Sequence, residues 1–354
     1  MKKARLGFIG AGWWATSNHM PLLAAHADVE MTAVCRLGKE PLARVQQQFG
    51  FQFGTEDYRE MLTGCDLDGV VVTSPHTLHF EHARAALEAN CHVMVEKPMC
   101  TRAAEARELV RLAQARRRHL IVPYGWHYKS FVQEAKRRLD AGAVGAVEYL
   151  ACHMASPIRS MLTGRGLRTG RPAGIAKELF QPESATWADP QTAGGGYGHA
   201  QLSHATGMAF WLTGLEPEQV FAMMAAPGAL VELYDAMSVR FRGGAIGTVS
   251  GAGTVPEPQA RYQLDLRIFG TEGMLLLDCE RARLHLRRHD GHHFTAALDP
   301  EEGSYSCEGP PTNFVELILG KTQINHAPGE AAMRSVELLD AAYRSAVSGR
   351  VEII

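Results

Sequence analysis

The stretch "LGFIGAGWWA", residues 6–15, decides the reading of the fold. A short apolar run stops at G-x-G-x-x-A, and a helix-like segment follows. Gly10 permits a tight turn, Gly12 lets the backbone approach a pyrophosphate, and Ala15 lets the helix pack closely on a sheet. The first amides of that helix then face the phosphates. Placed between a first strand and a first helix, the motif reads as a dinucleotide site, with a glycine turn in another α/β protein as the alternative. Trp13 and Trp14 lie in the same loop and count among its candidate cofactor contacts.

Outward from this loop, residues 4 to about 125 alternate apolar strands with helical segments, the signature of a parallel sheet with helices on both faces. Strands are expected at Leu6–Ile9, Met31–Val34, Gly69–Thr73, Val93–Val95 and Leu120–Pro123, with helices at Pro41–Phe49, His79–Ala89 and Thr101–Arg117. Near residue 126 the rhythm changes. A helix at Phe131–Ala141, a strand at Val147–His153 and an irregular stretch up to Gly194 precede runs suited to an antiparallel sheet, at 236–242, 245–251, 262–269, 273–278 and 283–287. The closing segment, Glu330 to Val347, is amphipathic and stops at Ser348-Gly349. The expected class is α/β: a doubly wound parallel Rossmann domain over 1–125, then a second α/β domain over 126–354 for substrate and oligomer contacts. The final helix can pack back near the first domain.

With 354 residues, 46% of them hydrophobic, the chain can bury two ordinary cores. A formal net charge of -2 provides no field to gather nucleic acid or an anionic membrane, so small molecules are the expected partners. The seven cysteines form no C-x-x-C pair, the N-terminus runs straight into a strand, and no apolar run approaches the ~18 residues of a membrane span. A cytoplasmic, reduced protein is the expectation.

The end of the second strand selects the dinucleotide, because an acid there would bind the adenosine ribose and a cation would accept a 2'-phosphate. Here stand Arg36 and, close behind, Lys39. NADP is favoured over NAD, with dual use, or an Arg36 that only stacks on adenine, as alternatives. The fourth strand as counted here, "HVMVEKPMC" (92–100), ends abruptly. Pro98 cannot donate a ladder hydrogen bond, and Thr101 is expected to cap the next helix. Lys97 is thereby held at the carboxyl end of the sheet, where an ammonium can hydrogen-bond a substrate hydroxyl and favour a developing alkoxide. Glu96 is expected to point the opposite way along the strand, into a structural ion pair, and is counted with the cofactor-binding residues.

With "GAGWWA", "TSPHTLH" (73–79) and "EKP" (96–98), and with a closing stretch at 328–353, the chain resembles the Gfo/Idh/MocA oxidoreductase family over nearly its whole length. The resemblance implies a nicotinamide-binding Rossmann domain, a C-terminal domain with a large open sheet, homodimers or homotetramers, and redox chemistry on a sugar or polyol hydroxyl. It implies that Lys97 is catalytic, that the Lys97-Pro98 bond can be cis, and that Thr73, Pro75 and His79 lie with the cofactor.

The other half of such a site is expected in "GGGYGHAQLSHATGMAFWLTG" (194–214), a flexible glycine lead-in and then a helix on which 197, 200, 201, 204 and 208 share a face. His204 can take the hydroxyl proton. The family commonly carries an aspartate four positions earlier, and here that position is Ala200; Gln201 can orient the imidazole instead. Tyr197 and His199 are expected on the substrate side, and no metal is expected. Trp126, His127 and Tyr128 offer an aromatic surface for a sugar ring, or domain packing. The stretch 156–190 carries Arg159, Arg165, Arg168, Arg171 and Lys177 against three acids, fit to read an anionic group or to be a solvated surface. An NAD(P)-dependent sugar or polyol dehydrogenase leads; an enzyme that recycles a tightly held cofactor in glycoside cleavage or epimerisation, and a cofactor-binding sensor, are the alternatives.

Overall fold

The computed structural model describes residues 2–166, 179–255 and 262–354. The described residues fall into two compact units, one within Met1–Pro123, Gly166–Thr186 and Cys307–Met333, the other within Tyr124–Arg165, Trp187–Ser306 and Arg334–Ile354.

The first unit is built on six strands, β1 (Ala4–Ile9), β2 (Val29–Cys35), β3 (Phe53–Thr55), β4 (Gly69–Val72), β5 (His92–Val95) and β6 (Leu120–Ile121), in the order β3-β2-β1-β4-β5-β6. Every pairing is parallel. Buried on both faces, β4 is an unbroken Gly-Val-Val-Val run, as a strand covered by helices on both sides must be. The order reverses between β1 and β4, so the crevice for a ligand opens beyond the carboxyl ends of those two strands. The helix after the Lys97 strand spans Ala103–Arg116 and starts behind Arg102 without a side-chain cap; the Thr101 cap is not formed. β3 was too short, at three residues, to stand out in the sequence pattern.

The second unit carries nine strands: β7 (Val147–Ala155), β8 (Pro217–Ala225), β9 (Tyr234–Phe241), β10 (Ile246–Ala252), β11 (Gln263–Gly270), β12 (Gly273–Asp278), β13 (Arg283–Arg288), β14 (Phe294–Thr295) and β15 (Glu352–Ile353). Their order is β14-β13-β12-β11-β7-β10-β9-β8-β15. Only the β7–β10 pairing among these is parallel, so the sheet is mixed and mostly antiparallel. Alternation is plain in β9, whose residues switch between buried and exposed at every step, so that one face packs and the other does not. Against the irregular reading of 156–190, short helices stand at Arg159–Leu162 and Ala185–Ala188; Arg168, Arg171 and Lys177 lie outside the described residues. The final helix, Gly329–Ser348, ends at Gly349 with φ of 66°, the left-handed glycine stop anticipated for it.

Candidate active site

In the first unit the glycine loop sits at the switch point. Gly10 has φ of +86°, its carbonyl accepts from the Thr73 hydroxyl, and a Cβ there would lie 2.6 Å from Ser74 N. Only glycine meets both demands. At Gly12 a Cβ would meet nothing within 4 Å, so the backbone there faces open space of the kind a phosphate needs. The buried Trp13 Nε1 has no hydrogen-bond partner in the protein, a second sign that the loop is shaped for a polar group. These features fit a dinucleotide, with Gly10, Gly12 and Trp13 holding it.

Beyond Trp14 the chain makes a π-turn, Ala15–His19, before the helix Met20–Ala25. The wider turn carries His19 to the Lys97 strand. Glu96 Oε1 accepts from Trp14 Nε1 at 2.7 Å and lies 2.6 Å from His19 Nε2, while Glu96 Oε2 accepts from the Lys97 amide at 3.1 Å. The Glu96 side chain is thus the bolt between the glycine loop and the end of β5. Burial pushes its carboxyl up, but His19, Lys97 and Trp14 outweigh that and hold it below the usual glutamate range. Lys97, 6% exposed, is pulled below the usual lysine range by burial, opposed by Glu96 and Cys307. The Lys97-Pro98 bond is cis. His79 is fully buried, with Nδ1 2.7 Å from Pro98 O and Nε2 2.7 Å from Ser74 O, so it ties the turn after β4, including Pro75, to the turn after β5.

Arg36 stands at the end of β2 as expected, but its partners were not foreseen. Its guanidinium donates to the Ala11 carbonyl, and its Cζ lies 3.9 Å from the centre of the Phe180 ring. Arg44 donates to Leu179 O at 3.1 Å and also faces Phe180. Burial lowers the Arg36 pKa, with Glu183 opposing. The buried Arg36 Nε makes no hydrogen bond.

In the second unit His204 lies in the helix Ser203–Thr213, which follows a π-turn at Gly198–Leu202. A regular helical face over 197–208 is therefore not kept. The His204 ring is met edge-on by Tyr124 at 5.7 Å, Trp126 at 5.6 Å and Tyr305 at 5.5 Å. Trp126 is fixed by its indole N–H, which donates to Gly303 O at 3.1 Å. Gln201 and Tyr128 are partly exposed, whereas Ala200 is buried.

Four residues expected on the substrate side have protein partners in the structure. Tyr197 is fully buried, its hydroxyl 2.9 Å from Ser156 Oγ and donating to Met154 O at 3.1 Å, so it anchors the core. His127 is fully buried and stacks on Trp211 at 4.5 Å. His199 packs on Tyr343 at 4.7 Å, and burial lowers its pKa to about 4. Arg159 donates to Pro227 O at 3.1 Å and to the Tyr234 hydroxyl at 3.4 Å, which ties a loop.

Sequence reasoning missed His19, Phe180, Tyr305 and Glu232. The last had a visible signal, an acid inside the apolar stretch "ALVELYDAM" (229–237). Among the described residues no group of three metal-ligating side chains comes together, and no helix is long and apolar enough to cross a membrane.

A profile described as an oxidoreductase family with an NAD-binding Rossmann fold matches residues 4–124, and the GFO/IDH/MocA C-terminal domain matches residues 132–276. The chain belongs to the GFO/IDH/MocA family. Among curated relatives, a D-glucoside 3-dehydrogenase of Escherichia coli is 31% identical over 145 residues, 40% of this chain and 41% of that one. A D-xylose 1-dehydrogenase [NADP(+)] of Haloarcula marismortui is 26% identical over 45% of each chain. The matched stretches thus cover less than half the length of these relatives. Of solved structures, a levoglucosan dehydrogenase in complex with NADH and L-sorbose superposes with a TM-score of 0.78 at 20% identity, covering 100% of this chain and 99% of that one. An aldose-aldose oxidoreductase from Caulobacter crescentus gives 0.74 at 21%, covering both chains fully. At such identities these two likenesses concern the fold.

Proposed function

We propose that this protein is an NAD(P)-dependent dehydrogenase acting on a secondary hydroxyl, or the matching ketone, of a sugar, glycoside, sugar acid or polyol. The observation that carries the reading is the buried Lys97 at the carboxyl end of β5, braced through Glu96 to the same loop that forms the glycine cradle. When bound, the nicotinamide cofactor supplies hydride acceptance or donation. Lys97, as the ammonium, donates a hydrogen bond to the substrate oxygen and favours its alkoxide form. His204, as the neutral imidazole, takes the hydroxyl proton. The edge-on aromatic cluster around His204 limits its rotation. Arg36 supports NADP as the cofactor, since a guanidinium with an unbonded Nε can accept a phosphate. A homo-oligomer is proposed from the family alone.

In a second reading the cofactor stays bound and is recycled. One experiment separates the two. Cofactor released by denaturing the purified protein is identified, and native protein is incubated with sugars, glycosides and sugar acids while reduced nicotinamide is followed by absorbance. Turnover that requires added NADP or NAD, and that is lost in Lys97→Ala and His204→Ala, supports the dehydrogenase; product without net reduction supports recycling. No turnover and no bound cofactor would sink both.

A further inference from the structure

The glycine lead-in to the His204 helix is a docking site for a carboxylate. Glu232 Oε2 accepts from Gly196 N at 2.7 Å and Oε1 accepts from Gly198 N at 2.9 Å. The Glu232 carbonyl accepts from the intervening Tyr197 N at 2.9 Å. Three successive amides that open the helical segment are therefore held by one residue. The Tyr343 hydroxyl donates to Glu232 Oε1 at 2.6 Å and completes the set.

The glycines follow from this. A Cβ at Gly196 would lie 2.2 Å from the Glu232 carbonyl, and one at Gly195 would lie 2.4 Å from the Tyr343 hydroxyl. At Gly198 it would lie 2.8 Å from that hydroxyl. The run is glycine because nothing larger fits beneath Glu232 and Tyr343, and the expected flexibility is absent at these contacts.

We propose that Glu232 is the positioning residue of the His204 helix, a carboxylate that sets where the imidazole stands by gripping the backbone at the helix start. Residue 200 is a buried alanine, and the carboxylate of Glu232 fixes the segment from which the ring projects. The significance for catalysis rests on the reading of His204 as a proton-transfer group; the grip itself does not. Asp235 supplies an internal control. It is buried three residues on, near the same turn, and neither of its oxygens makes a hydrogen bond. Burial, reinforced by Glu232, pushes its carboxyl well above the usual aspartate range.

The test uses the full chain labelled with 13C-histidine and needs no substrate. The His204 ring protons, assigned with His204→Gln, sit among three aromatic rings and carry a ring-current shift that reports their place. Glu232→Gln loses an acceptor for one of the two amides, so the His204 resonance is expected to move toward the value of an unpacked histidine or to broaden, with the fold retained. Tyr343→Phe is expected to shift it partially, and Asp235→Asn to leave it in place even if the melting temperature moves. Where turnover is measurable, Glu232→Gln is expected to lower kcat about 10-fold or more with little change in KM. An unmoved His204 resonance in folded Glu232→Gln, or an equal displacement in Asp235→Asn, would overturn the proposal. If Glu232→Gln does not fold, an unmoved resonance in Tyr343→Phe does the same. Loss of the His204 signal without any loss of turnover would instead count against the role given to His204.

Discussion

His19 Nε2 lies 2.6 Å from Glu96 Oε1, joining the first helical turn of the chain to a residue 77 positions away. Glu96→Ala would leave this imidazole, the Trp14 indole N–H and the Lys97 amide without the carboxylate that accepts from them. A loss of about 3 kcal/mol in denaturant unfolding is expected. The carboxyl is held below its ordinary 4.5, so its contribution to stability is complete above that pH and is lost as the pH falls beneath it. Unfolding of the variant within 0.5 kcal/mol of the parent, roughly the size of a neutral surface change, would show that the bolt is idle.

If Lys97 acts as proposed, it is expected to set the alkaline side of the rate profile. Burial lowers its pKa from 10.5 while Glu96 and Cys307 oppose the fall, so turnover that needs the ammonium is expected to decline below that pH. Glu96→Gln removes an opposing negative charge, and the decline is expected about one pH unit lower. Lys97→Met is expected to cost on the order of 10²-fold in kcat at every pH. A decline that stays in place in Glu96→Gln would refute the coupling.

Gly10 and Gly12 are expected to fail in different ways. Gly10→Ala meets Ser74 N at 2.6 Å in a left-handed conformation and is expected to cost about 2 kcal/mol or more of stability. Gly12→Ala meets nothing, and stability is expected to stay within about 0.5 kcal/mol while dinucleotide affinity falls. Thermal unfolding and calorimetric titration with NADP and NAD check both; unchanged affinity in Gly12→Ala would remove the cradle assignment.

Arg36→Ala is expected to weaken NADP more than NAD, by about 10-fold or more, since a charged hydrogen bond contributes about 1.5–3 kcal/mol. Titration with 2',5'-ADP and 5'-AMP isolates the phosphate. Equal losses for both ligands would mean that Arg36 serves only to brace Ala11 and stack on Phe180.

Much of the first unit was legible because its signals are local. An apolar run, two glycines and an alanine place the turn, and a proline three positions beyond Val95 places the end of the strand that presents Lys97. Helix bounds were read to within two residues at Lys39–Phe49 and Ala103–Arg116 for the same reason. The second unit was legible in its alternation, less so in its π-turn, because no local residue pattern announces one extra residue in a turn.

Reading along the chain was enough for the class of fold and the glycine loop, and it singled out Lys97 and His204 as candidates for proton transfer. Tertiary structure alone decided what holds them: Glu96 gripped by His19 and Trp14, Arg36 roofed by Phe180, His204 ringed by Tyr124, Trp126 and Tyr305, and three amides seized by Glu232. Turn geometry and strand periodicity arise from neighbouring residues, so they can be read along the chain. A buried carboxylate finds its donors only after segments tens of positions apart have packed, and no spacing in the sequence encodes that meeting.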